Sequence, residues 1–286
     1  MKIIFFGSFQ YAVPALEAFI KNSYEILAIV TNPDSLQGRK KELVASPVKL
    51  AAQQAGLNVI QPEKLRHNAE FLEYLKSLNP DLNIVVAYGK IIPKEIIELP
   101  KYGTINIHPS LLPAYRGPSP VQTAILNGEK ETGVTIMQID EEVDHGPILA
   151  QAKYQISPNA YYQQITRELF QTGAELLIKT MPDLLAGKVI PRPQNHSSAT
   201  FTKKFSWPDG RIDWNQPAEK IFNQIRALNP EPGTWTTFNG KILKILKASL
   251  SKGSTLILEE VQPEGKKAMA FEDFLRRIGE RELKFE

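Results

Sequence analysis

The sequence predicts an α/β fold with a mostly parallel sheet, followed by a small β-rich second domain. Three observations lead there. Short apolar runs alternate with helix-spaced segments through the first two-thirds of the 286 residues, which is the pattern of βαβ units. A polar, proline-bearing stretch beginning Pro191-Arg192-Pro193-Gln194-Asn195 has no period and reads as a linker. Beyond it, Asn239-Gly240 lies between two strand-like runs and marks a tight hairpin. The length exceeds what one hydrophobic core usually serves, so the expected division is 1–190, a linker at 191–204, and 205–286.

In chain order, residues 3–6, 26–30 and 82–87 are apolar runs expected as buried strands, and 13–21, 47–55 and 70–78 have helical spacing. A later strand pair, 134–139 and 148–154, is joined by the acidic loop Asp140-Glu141-Glu142-Val143-Asp144-His145-Gly146. A long helix over 160–185 closes the first domain, with a kink expected near Pro182. The second domain is expected to hold a helix at 218–228, strands at 234–238, 241–246 and 255–261, and a short helix at 272–278. There is no internal repeat and no low-complexity tract.

Composition removes whole classes of function. Hydrophobic residues at 42% and charged residues at 23% are ordinary for a globular chain. The absence of cysteine excludes a disulfide, a thiolate nucleophile and a Cys-ligated metal, and four scattered histidines offer no metal cluster. No run approaches the ~18 apolar residues needed to span a bilayer, and the apolar start breaks at Gly7 without a cleavage site. A cytoplasmic monomer with no membrane contact is expected. The net charge of +3 is unevenly spread. Residues 1–190 carry 18 Lys+Arg against 19 Asp+Glu, whereas 191–286 carry 16 against 12, so the basic excess sits in the linker and second domain taken together.

Gly7-Ser8-Phe9-Gln10-Tyr11 ends the first strand without a G-x-G-x-x-G turn, and no P-loop sequence occurs, so a nicotinamide cofactor and P-loop ATP hydrolysis are disfavoured. The informative stretch is Gly103-Thr104-Ile105-Asn106-Ile107-His108-Pro109-Ser110-Leu111-Leu112-Pro113. As a strand it places Thr104, Asn106 and His108 on one face and Ile105 and Ile107 on the other. An amide and an imidazole projecting together from a strand end can polarise a carbonyl and hold the oxyanion formed on attack. The same pattern also fits an exposed strand end with incidental polar residues.

Asn106-x-His108, then Ser110-Leu111-Leu112-Pro113, Tyr115-Arg116-Gly117 and Asp144-x-Gly146, resembles the formyltransferase family that uses 10-formyltetrahydrofolate. Within it the chain is most similar to the members that act on initiator methionyl-tRNA. That likeness runs through Thr31-Asn32-Pro33-Asp34, Gly38-Arg39-Lys40-Lys41, Ser46-Pro47-Val48-Lys49, Val85-Val86-Ala87-Tyr88-Gly89 and Gly133-Val134-Thr135-Ile136-Met137-Gln138. It continues through Asp209-Gly210-Arg211-Ile212-Asp213-Trp214, Ile225-Arg226-Ala227-Leu228-Asn229-Pro230 and Gln262-Pro263-Glu264-Gly265-Lys266-Lys267, and so covers nearly the whole chain.

The resemblance implies a Rossmann-like catalytic domain and an OB-like β-barrel that binds tRNA. Only one strand fits between Ala248 and Glu259, where the family has an additional hairpin, so a shortened or open barrel is expected. The implied reaction transfers a formyl group from 10-formyltetrahydrofolate to the α-amino group of methionine on initiator tRNA. Asn106 and protonated His108 would hold the oxyanion, and Asp144 would orient His108 and relay protons. Glu141 and Glu142 read instead as a solvated acidic turn. Ser110, Leu111, Leu112 and Pro113 correspond to the family's folate-binding turn, with Val86, Tyr88, Gly89, Ile91, Ile139 and Asp140 as walls. Arg39, Lys40 and Lys41 would engage the acceptor stem, and no metal is implied. Two alternatives stand beside this reading: an amino-sugar formyltransferase, disfavoured by the Gly38 to Lys41 loop and the second domain's motifs, and a non-catalytic tRNA-binding protein, disfavoured by the intact Asn106, His108 and Asp144.

Overall fold

The computed structural model describes residues 1–37, 42–279 and 285. The strands are β1 (Lys2–Gly7), β2 (Glu25–Val30), β3 (Ser35–Gln37), β4 (Glu42–Val44), β5 (Val59–Ile60), β6 (Leu82–Val86), β7 (Thr104–His108), β8 (Glu131–Gln138) and β9 (Ile148–Gln155), then β10 (Thr234–Phe238), β11 (Lys241–Leu250), β12 (Leu256–Pro263) and β13 (Met269–Ala270). The helices are α1 (Val13–Lys21), α2 (Pro47–Gln54), α3 (Ala69–Ser77), α4 (Lys94–Ile97), α5 (Pro120–Leu126), α6 (Tyr162–Leu185), α7 (Ala218–Leu228) and α8 (Phe271–Ile278). No helix among the described residues is long and apolar enough to cross a membrane.

Among the described residues, seven strands form one sheet in the order β5-β2-β1-β6-β7-β8-β9. Pairing is parallel from β5 to β7, while β8 runs antiparallel to β7. The strand order reverses at β1, and the crevice outside the carboxyl ends of β1 and β6 is where open α/β sheets take ligands. The apolar runs form strands because both faces are covered. Ile4 and Phe6 join Val85, Tyr88, Ile92 and Ile96 in one cluster, while Phe5 packs edge-on against Phe19 of α1. Burying such side chains fully is worth ~1.5–3 kcal/mol each.

Local chemistry sets the helix starts. The Ser46 hydroxyl accepts from Lys49 N at 3.0 Å with Pro47 at the first helical position of α2, and Asn68 Oδ1 accepts from Phe71 N at 3.1 Å ahead of α3. A buried polar pair secures β7 beside β6. Asn83 Nδ2 donates to Ile96 O at 2.8 Å and Thr104 Oγ1 donates to Ile97 O at 2.8 Å, satisfying carbonyls at the end of α4. On the other face α6 lies close to β7 and β8. A Cβ on Gly173 would stand 2.5 Å from Ile107 Cγ2 and 2.8 Å from Val134 Cγ2. The helix runs through Pro182 to Leu185.

The chain divides into two compact units. One comprises 1–116, 133–154 and 166–200; the other takes in 117–132 and 155–165 as well as 201–286. In the second unit, α7 packs on α5 and on β11. Ile221, Phe222 and Ile225 of α7 join Leu243, Ile245 and Val261 of the sheet in one core. The sheet is an antiparallel meander, β10-β11-β12-β13. It is open, with four strands among the described residues, in line with the shortened barrel expected. The hairpin at Asn239-Gly240 forms, and β11 reaches Leu250 instead of ending at 246, because it pairs with β12 as far as Leu250 and Leu256. The short elements β3, β4, β5, α4, α5 and β13 carried no periodic signal.

At the start of the second unit, Asp209 Oδ2 accepts from Ser206 N and Ser206 Oγ, both at 2.8 Å, and Asp209 pairs with Lys203. The Lys203 bond, followed by those from Ser206, holds the Asp209 carboxyl at about 2, below the ordinary 3.8. A depressed folded value stabilises above the unfolded pKa, and the contribution is lost as pH falls through about 2. Asp209→Asn is therefore expected to cost about 1 kcal/mol at pH 7. Urea midpoints of the native and variant chains should converge as pH is lowered through this range; a gap unchanged with pH would count against the assignment.

Candidate active site

The site is built on the carboxyl end of β7. Alternation works as read from the sequence: Thr104 bonds to α4 on one side while Ile107 meets α6 on the other. Asn106 lies on the Thr104 face, half-buried, and its carboxamide makes no hydrogen bond among the described residues. His108, two residues on, is 4% exposed. Its Nε2 stands 3.0 Å from the Tyr115 carbonyl, and since a carbonyl oxygen only accepts, Nε2 is the donor. The opposite edge, Nδ1, faces Asp144 Oδ2 at 3.5 Å. The structure thus brings Asn106, His108 and Asp144 to one strand end.

Asp144 arrives there because β8 runs back along β7. His108 pairs with Thr135 and Ile105 with Gln138, so the strand leaves the site and the acidic loop must return to it. Ile139 N donates to Thr104 O at 2.8 Å, far along β7 from His108. Asp140 stays at that end, its Oδ2 2.6 Å from His145 Nδ1 and its Oδ1 accepting from Glu142 N at 3.0 Å. Glu141 is exposed and pairs with Lys94, a bond that raises the Lys94 pKa. The loop is therefore a tied turn in which Asp144 reaches His108.

The turn after His108 is satisfied from within. Thr135 Oγ1 donates to Ser110 O at 2.6 Å and accepts from Leu112 N at 3.1 Å and Gln151 Nε2 at 2.9 Å. Gln151 Nε2 also donates to Leu112 O at 2.9 Å, and Ser110 Oγ donates to Ala114 O at 2.6 Å. Ser110 and Leu112 are thereby spent on shape, leaving Leu111 and Pro113 half-buried at the rim.

The expected wall residues separate. Tyr88 and Ile139 belong to the apolar cluster with Val85, Ile92 and Ile97. The Tyr88 ring is buried edge-on against Phe6, and burial pushes its phenol well above the ordinary range. Its carbonyl accepts from Asn32 Nδ2 at 3.1 Å. Val86 follows Val85 and stands on the opposite face by alternation. Gly89 and Ile91 are exposed. Ile139 and Asp140 also line a cleft of about 550 Å³ with Ile97, Thr104 and Pro147, at the end of β7 away from His108. Arg39, Lys40 and Lys41 lie outside the described residues.

Three side chains around the trio were not singled out from the sequence: Arg116, Gln194 and His196. Gln194, within the stretch read as a linker, is 5% exposed. It donates to the carbonyls of Asp144 and Gly146 and accepts from Arg116. Arg116 Nη2 also lies 2.9 Å from His196 Nδ1, and the His196 ring stacks on His145 with centroids 4.0 Å apart. Arg116 stood inside the Tyr115-Arg116-Gly117 signature, whereas a lone glutamine in a polar stretch carries no signal.

Known proteins share this architecture. The family model described as formyl transferase matches residues 1–181, and that described as formyl transferase, C-terminal domain, matches 204–256. A methionyl-tRNA formyltransferase of Dictyoglomus turgidum is 44% identical over 98% of this chain and 99% of its own length. That of Chloroflexus aggregans is 49% identical over 88% of this chain and 81% of its own. Among solved structures, the methionyl-tRNA formyltransferase from Clostridium thermocellum shares the fold with a TM-score of 0.64 at 22% identity, over 92% of this chain and 98% of that one. An N-formyltransferase from Helicobacter canadensis, in complex with folinic acid and dTDP-3-aminofucose, reaches 0.66 at 23% identity, over 88% of each chain. By both family models and by these relatives, the chain belongs to the formyl transferase family, where it groups with the methionyl-tRNA formyltransferases.

Proposed function

We propose that this chain transfers the formyl group of 10-formyltetrahydrofolate to the α-amino group of methionine carried on initiator tRNA. The observation that carries the reading is a buried His108 with Asp144 against Nδ1, two residues from an Asn106 whose amide is free to donate among the described residues. Relatives 44–49% identical over most of the chain are methionyl-tRNA formyltransferases. The amino-sugar formyltransferase is similar only at 23% identity, which carries fold and not acceptor.

In the proposed mechanism the amine nitrogen attacks the formyl carbon, and the carbonyl electrons collect on its oxygen. The Asn106 N–H donates to that oxyanion, and His108, held in place by the Tyr115 carbonyl, adds the field of its imidazolium. The Asp144 carboxylate stabilises the imidazolium and takes up the proton lost by the amine, returning it to the folate nitrogen as the carbon–nitrogen bond to the donor breaks. Leu111 and Pro113 offer an apolar rim to the flat ring system, and Tyr88 and Ile92, which follow β6, back the crevice. Residues 191–286, with their basic excess, and the Arg39 to Lys41 stretch are proposed to follow the tRNA backbone. The protein is proposed to work as a cytoplasmic monomer.

Purified protein with charged initiator tRNA and 10-formyltetrahydrofolate is expected to yield formyl-methionyl-tRNA. Absence of product, with rapid formylation of a nucleotide-linked amino sugar, would overturn the reading. Asn106→Ala is expected to lower kcat by roughly 10²–10³-fold, the usual loss on removing an oxyanion donor. Filter retention of charged tRNA should stay within about twofold, because Asn106 is assigned to the transition state and not to binding. An unchanged rate would remove Asn106 from the mechanism.

Affinity for charged tRNA is expected to fall linearly on a logarithmic salt scale, with a slope of roughly −0.7 to −0.9 per phosphate contact. Flat salt dependence in a titration would contradict the basic stretch 191–286 as a tRNA surface.

A further inference from the structure

We infer that Gln194 is a positioning residue for the transfer reaction: its buried carboxamide brackets the loop bearing Asp144 to the segment bearing Tyr115, and so sets the approach of Asp144 to His108. The inference rests on the roles proposed above for Asn106, His108 and Asp144.

A glutamine side chain has two N–H donors and one carbonyl oxygen with two lone pairs, and here all four are engaged. Nε2 donates to Asp144 O at 2.9 Å and to Gly146 O at 2.7 Å. Oε1 accepts from Arg116 Nε at 3.1 Å and Nη2 at 2.7 Å. Gln194 and Arg116 are 5% and 3% exposed, so water does not compete freely for these bonds. The amide therefore joins the backbone of the Asp144 loop to the Arg116 side chain, and the segments that carry these two each present an acceptor to His108. Asp144 faces Nδ1 on one side, and Tyr115, the residue before Arg116, faces Nε2 on the other.

Both segments require such a hold. Asp144 has φ +50° and Tyr115 φ +61°, in the left-handed region that side-chain-bearing residues rarely enter. The loop then passes so close to β8 that a Cβ on Gly146 would stand 2.1 Å from Gln138 O. The Tyr115 segment is tied on its far side by Tyr115 N to Thr200 Oγ1 and Arg116 N to Thr200 O, both at 2.8 Å. Residues 194–200 thus grip both flanks of the imidazole. A neutral amide suits the task because one group must donate to two carbonyls and accept from a guanidinium. A carboxylate in its place would keep the bonds from Arg116 and set its oxygens against the Asp144 and Gly146 carbonyls.

Two variants and two readouts test this. Gln194→Ala and Gln194→Glu are each expected to lower kcat by roughly 10- to 100-fold, the loss typical of misplacing a catalytic group by about 1 Å. KM for the folate donor and for charged tRNA should stay within about twofold. The double variant Gln194→Ala/Asp144→Asn should be no slower than Asp144→Asn alone, because Gln194 acts through Asp144. Independently of turnover, amide hydrogen exchange across 140–146 should quicken by at least about tenfold in Gln194→Ala while exchange in β1 and β6 is unchanged. Multiplicative losses in the double variant, a Glu variant with native kcat, or unchanged exchange in the loop would each overturn the inference. A native chain that makes no formyl-methionyl-tRNA, while its Gln194→Ala variant still shows the quickened exchange, would overturn the functional reading and leave the bracket standing.

Discussion

A buried imidazole with an oxygen acceptor against each of its ring nitrogens is the interaction on which the rest of this site depends. His108 cannot turn without losing the Tyr115 carbonyl at 3.0 Å, and burial denies it a water to replace that bond. The ring plane is therefore decided by main chain, and one edge is left toward Asp144 at 3.5 Å. Each surrounding feature holds an acceptor in place or keeps the ring dry. The Ser110 to Pro113 turn curls the chain so that Tyr115 comes back over the strand end, with Thr135 and Gln151 meeting its polar groups from β8 and β9.

The sheet makes this possible by changing direction once. From β5 to β7 all pairs are parallel, so each strand end points to the same side, the side on which open α/β sheets take ligands. The antiparallel β8 runs away from that side, and the acidic loop at its end must double back. Asp140 and Asp144 lie only four residues apart, yet one is tied to His145 near the start of β7 and the other faces His108 near its end. Two carboxylates in one short acidic loop thus have different surroundings.

Much of the fold was legible because it is periodic. The apolar runs at β1, β2 and β6 and the spacing of α1, α3 and α7 reflect burial, which the chain records residue by residue. The small β-rich second domain was legible too, with one strand after Ala248, and among the described residues its sheet is a four-stranded antiparallel meander. The elements of two to seven residues, such as α4, α5 and β5, left no trace, since their hydrogen bonds are completed by partners distant in sequence. In the site, Asn106, His108 and Asp144 stood out through a family signature. Tyr88 also matched that signature, but its ring serves the core and only its backbone faces Asn32.

The sequence by itself determined which residues are chemically able to act, and it determined the order of the main elements, because both are properties of side-chain type and local period. It also marked Asn106 and His108 as neighbours on one strand face, a consequence of the two-residue pleat. What only the tertiary structure decided is how far each polar group is from its partner. The stretch around Gln194 reads as linker because nothing local distinguishes a solvated glutamine from one that closes four hydrogen bonds across separations of 48 to 78 residues. Contacts of that range have no period, so the bracket around His108 exists only once the chain has folded.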